Sequence, residues 1–117
     1  MFARNWSFDG AGDGDVLLEK KDGDVEDFKH FQIQLAAGSV RVFGSLDGTT
    51  YPDRPLVLSL EPLVDGSDNV TEPQGTFTAV ATSNLKRIHH FFGSYKAIKI
   101  VQKGATAAPG ILRGSEE

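Results

Sequence analysis

Ser39-Val-Arg-Val-Phe-Gly-Ser-Leu-Asp-Gly-Thr-Thr-Tyr51 reads as a strand that runs into a tight turn. Val40, Val42 and Leu46 fall on one side of a period-2 pattern, with Gly44 between them. Arg41, Phe43 and Ser45 fall on the other side, as successive strand residues alternate faces. Asp47-Gly48 then closes the strand. Gly tolerates positive φ and Asp bonds its own backbone, so this pair predicts a hairpin or bulged turn.

The flanking segments keep the same period. Phe31, Ile33 and Leu35 alternate with Gln32 and Gln34, the pattern of a half-buried antiparallel strand. Beyond the turn, Pro52 and Pro55 stiffen a connector, and Leu56, Leu58 and Leu60 alternate up to Pro62. Residues 62–75 read as a long acidic surface loop. A Thr/Ala-rich strand over 76–82 follows, then a turn and strand over 84–92. Tyr95 to Gln102 is a strong strand, and Ile111 to Arg113 closes the sheet. About seven short strands separated by turn signals predict an all-β chain, a single antiparallel β-sandwich of jelly-roll-like form.

Residues 1–30 differ from this pattern. Phe2, Trp6 and Phe8 crowd into a short span, followed by the Gly/Asp-rich stretch from Asp9 to Asp15. Two expectations stand here: a hairpin pairing Val16–Lys20 with Val25–Phe28, or an arm whose aromatics are buried on a neighbouring subunit. Packing of those aromatics on their own core is the alternative. The organisation expected is an N-terminal arm or hairpin over 1–30, a sandwich over 31–113 and a tail over 114–117.

Composition narrows the function. The chain has 117 residues, enough for one core and too few for two ordinary domains. Its net charge is −4, and the basic stripe typical of nucleic-acid binders is missing, so no direct nucleic-acid partner is expected. Without cysteine no disulfide supports the fold. No charged-then-apolar leader and no apolar run of about 18 residues is visible, so neither a secretory signal nor a membrane partner is expected.

Chemistry-bearing motifs are sparse. His30, His89 and His90 are the three histidines; the adjacent pair would point to opposite faces of a strand, and with neither Cys nor a His-x-His spacing present, a structural or surface role rather than metal ligation is expected. Asp13-Gly-Asp15 and Asp22-Gly-Asp24 lack the further oxygens and closing Glu of a calcium loop. Asn69-Val-Thr71 matches a glycosylation acceptor, but reads as a polar loop in the absence of a leader. Neither a Gly-x-Ser-x-Gly elbow nor a Gly-Lys-Ser/Thr phosphate loop occurs. No catalytic residue, cofactor or enzymatic activity is expected. Candidate partner contacts are Phe2, Trp6 and Phe8 on the arm, Tyr51, Asp65, Asp68 in the acidic loop, and His89, His90 and Phe91.

Two segments together carry a resemblance. Val40 to Tyr51 and Tyr95 to Gly104, followed by Ile111-Leu-Arg113, resemble strands of small β-sandwich domains in virion proteins of tailed bacteriophages, and more distantly discoidin-like sandwiches. The resemblance spans residues 31–113. It implies a non-enzymatic virion structural protein assembled in the host cytoplasm, most specifically a capsid decoration (cement) protein. That role implies partners among major capsid protein subunits and a homo-oligomer, with a trimer favoured. A tail or baseplate component, or a carbohydrate- or receptor-binding module, is the alternative.

Overall fold

The computed structural model describes residues 2–21, 23–64, 67 and 76–116. Among the described residues, ten strands form two antiparallel sheets. They are β1 (Ala3–Phe8), β2 (Val16–Lys21), β3 (His30–Leu35), β4 (Ser39–Ser45), β5 (Leu58–Leu60), β6 (Phe77–Thr78), β7 (Ala81–Thr82), β8 (Ile88–Phe92), β9 (Ala97–Gln102) and β10 (Gly110–Ser115). The larger sheet has the order β1-β10-β3-β8-β5-β6, and the smaller has β2-β9-β4-β7.

The chain changes sheet at nearly every connection. From β1 to β5 it alternates between the larger and smaller sheets, and it does so again from β6 to β10. Among the described strands, only β5 and β6 are consecutive in one sheet, and they pair directly. This interleaving of two four-stranded sheets, with β5–β6 added at one edge, is a jelly roll. The expected all-β antiparallel sandwich is therefore the observed architecture.

Interleaving explains what the turn residues do. Gly48 has φ +87° and ends β4 as expected. The N–H groups of Thr50 (2.7 Å) and Thr49 (2.8 Å) and the Ser45 hydroxyl (2.9 Å) all donate to Asp47 Oδ1. Those hydrogen bonds, led by the one from Thr50, hold the Asp47 carboxyl well below the usual carboxylate range. The turn is not a hairpin, however. It sends the chain from the smaller sheet to the larger one. Val40 and Val42 are fully buried as their parity requires, whereas Leu46 is 81% exposed. The strand ends at Ser45, so the alternation stops one residue before Leu46.

The N-terminal segment departs from its expectation. β1 pairs with β10 over its whole length, from Ala3↔Ser115 to Phe8↔Gly110. β2 pairs with β9, not with residues 25–28. Val25 and Phe28 are fully buried outside any strand. Trp6 and Phe8 are core residues, and the Trp6 indole meets the Phe28 ring edge-on at 5.9 Å. Residues 3–21 thus build both sheets rather than forming an arm, because period-2 aromatics on an edge strand complete the core of their own chain.

The core lies between the sheets. Phe31, Ile33 and Leu35 from β3, Val40 and Val42 from β4, Ile98 and Ile100 from β9, and Leu112 from β10 meet there. One polar side chain is built into its margin. Gln102 Oε1 accepts the N–H groups of Ala11 (2.8 Å) and Ala108 (3.2 Å), and its Nε2 donates to the Gly104 carbonyl (2.9 Å). Its buried amide thereby fastens the β1–β2 crossover to the β9–β10 crossover, as burial of a polar group requires.

Candidate interaction surface

The outer face of the larger sheet concentrates chemistry that a core-filling scheme leaves unexplained. Register places Gln32 opposite His90 and His30 opposite Phe92, with Gln34 opposite Ile88. On the other side, Ile111 lies opposite Gln34 and Arg113 opposite Gln32. All share one face by strand parity. Phe92 is 63% exposed, Ile111 47%, and Phe77, at the far edge in β6, 70%. Exposed apolar groups set among polar ones in this way mark contact surfaces.

A depression of about 160 Å³ opens on this face, lined by Asn5, Gln32, Gln34, Ile88, Ile111 and Arg113 among others. Arg113 donates to Asn5 Oδ1 at 3.3 Å across its floor strands. Beside it, a 3-10 turn over Asn84–Lys86 carries two non-glycine residues in the left-handed region, Leu85 (φ 56°) and Lys86 (φ 52°). Such backbone is costly for side chains with a Cβ. Gln34 Nε2 donates to the Lys86 carbonyl at 2.7 Å and ties the turn to the sheet face. Leu85 projects to solvent, 77% exposed.

The candidate residues read from the sequence divide between this face and the interior. His90 lies on the face, while its neighbour His89 lies in the interior, as adjacent strand residues must. Phe91 is also interior, stacked on Phe31 at 5.0 Å. Trp6, Phe8, His89, His90 and Phe91 are buried, and this corrects their assignment as partner contacts: the core covers Trp6, Phe8, His89 and Phe91, while His90, 6% exposed, is covered on the outer side by His30, Phe92 and Glu61. Phe2 is half exposed and stacks on Phe28 at 5.5 Å. Tyr51 lies beyond the smaller sheet, on the opposite side of the sandwich. Its hydroxyl donates to Glu19 Oε2 at 2.7 Å, and Lys99 Nζ sits 4.3 Å from its ring centre. One ring face and the hydroxyl of Tyr51 are thus engaged within the chain. Asp65 and Asp68 lie outside the described residues, as does Asp22. Asp13 and Asp15 serve turns, accepting from Gly104 N at 2.8 Å and Gly12 N at 3.0 Å.

Sequence reasoning missed His30, Gln32, Gln34, Phe77, Ile111 and Arg113 as surface candidates. The available signal was the polar side of the Phe31–Leu35 alternation, which assigns Gln32 and Gln34 outward before any pairing is known.

The fold is a jelly-roll β-sandwich whose larger sheet presents exposed apolar side chains among polar ones on its outer face. No protein-family model and no curated protein matches the chain. Among solved structures, the chain is similar in fold to SPBc2 prophage-derived protein YomS. The TM-score is 0.55 at 12% sequence identity, covering 98% of this chain and 96% of that one.

Proposed function

We propose that this protein is a non-enzymatic structural component of a tailed-bacteriophage particle, and that its specific role is capsid decoration. The observation that carries this reading is the fold likeness to a prophage-derived protein, which extends over 98% of the chain. The strand motifs of residues 40–51 and 95–104 support it from the sequence side. In this reading the outer face of the larger sheet seats on major capsid protein subunits, with Phe92, Ile111 and Phe77 as apolar anchors. A trimer would bring three such faces to one site on the shell, so modest contacts add by avidity. A tail or baseplate position uses the same face on a different partner.

Light scattering on the purified protein, followed by co-sedimentation with separated phage heads and tails, tests this. A trimer that sediments with heads is expected. Sedimentation with tails alone would replace decoration by a tail role, and sedimentation with neither would overturn the proposal. Ile111→Asp and Phe92→Asp alter exposed side chains and should leave the sandwich folded. Each should weaken particle binding by about 2 kcal/mol, roughly 30-fold, if these are anchors.

A further inference from the structure

His30 and His90 meet on the outer face although they are 60 residues apart in sequence. They sit diagonally across the β3–β8 pair, where long side chains reach one another. His30 Nε2 lies 3.2 Å from His90 Nδ1, with the rings tilted by 58°. Each ring is held by a further group. Phe92 stacks on His30 at 4.5 Å and 9°. Glu61 Oε1 faces the other nitrogen of His90, Nε2, at 3.6 Å. That nitrogen is buried and has no hydrogen-bond partner among the described residues. A carboxylate on that side favours the tautomer with the proton on Nε2, which turns the Nδ1 lone pair toward His30.

Metal-ligating histidines are supported by a carboxylate on their outer nitrogen, and Glu61 stands on that side of His90 at ion-pair distance without a hydrogen bond. Two imidazole nitrogens bound tetrahedrally to one zinc, each at about 2.0–2.1 Å, stand roughly 3.3 Å apart. We infer that His30 Nε2 and His90 Nδ1 form a two-histidine clamp for a borderline divalent ion of the Zn²⁺ class, with Glu61 as the outer carboxylate. Imidazole pairs suit Zn²⁺ and its late transition-metal neighbours rather than Mg²⁺ or Ca²⁺. Among the described residues no group of three or more His, Cys, Asp or Glu side chains converges on one ion, so the inferred clamp has two protein ligands and would need water in its remaining positions. Without metal, His30 Nε2–H donates to His90 Nδ1. With metal, the His30 proton resides on Nδ1 and both facing nitrogens bind the ion. The clamp stands on its own geometry, independently of any role in a virion.

The test is calorimetric titration of the full chain with zinc chloride at neutral pH, beside nitrogen-detected NMR of the histidine rings. One zinc per chain is expected. His30→Gln, at a half-buried position, should weaken binding tenfold or more while the β-sheet circular dichroism stays unchanged. Glu61→Gln should weaken it by about tenfold, the usual effect of losing a supporting carboxylate. Zinc should also move the His30 proton from Nε2 to Nδ1. Equal affinity in wild type and His30→Gln, or a His30 tautomer that zinc does not change, would overturn the assignment.

Discussion

Gly44 shows how one missing side chain shapes this molecule. A Cβ placed there would come within 2.5 Å of the Tyr95 ring, and one at Gly93 within 2.7 Å of the Tyr95 hydroxyl. Tyr95 therefore lies in a slot between two glycines, packed near Phe31 and Phe91. Gly44→Ala should lower stability by about 1–3 kcal/mol, the usual cost of overpacking a filled site. Urea unfolding measures this. Its effect should shrink in a Tyr95→Ala background, and an undiminished cost there would refute the steric explanation. At this scale the sequence was partly legible. Parity assigned Val40 and Val42 inward and split His89 from His90. It could not pair His90 with His30, since side chains 60 residues apart meet only through sheet register.

β8 carries opposite chemistry on its two faces. His90 points outward, while His89 is 2% exposed against the core and its Nδ1 has no hydrogen-bond partner among the described residues. Burial above all, then the charges of Arg87 and His90, pushes the His89 imidazole down to about 4 from 6.5. Between those pH values the unfolded chain takes up a proton that the folded chain does not. The stability contributed by neutral His89 is thus complete above pH 6.5 and is lost as pH falls toward 4. The loss amounts to about 3 kcal/mol, and levels off at lower pH. Unfolding midpoints followed across this range should show that slope, and His89→Leu should flatten it. A slope unchanged in the variant would move its origin to other groups. Elements were legible where alternation ran long, as in β3, β4 and β9. The crossovers were not, because Asp-Gly chemistry specifies a bend without specifying which sheet the next strand joins.

Across the whole molecule, the two ends of the chain are zipped together. β10 lies between β1 and β3, and β9 lies between β2 and β4. The first strand is an integral wall, with Trp6 and Phe8 in the common core. Removal of residues 1–8 should therefore abolish cooperative unfolding rather than release a separable arm. Thermal melts followed by circular dichroism decide this, and a truncated chain that melts as sharply as the full one would contradict it. The sequence hid this role because strands that pair across more than a hundred residues leave no local trace. The aromatic pattern of β1 fits an arm and an edge strand equally well.

That closure also sets an order of events during synthesis. Until β10 has been made, β1 and β3 lack the strand that separates them, and their facing edges are unpaired. Only when Ser115 has emerged can Ala3 find its partner. Contacts of such long range are slow to form, and uncovered strand edges invite pairing with other nascent chains. Production yield should therefore depend on how long the earlier strands must wait for β10. Chaperone supply and growth temperature during expression should matter more for this protein than the modest size of its domain would indicate.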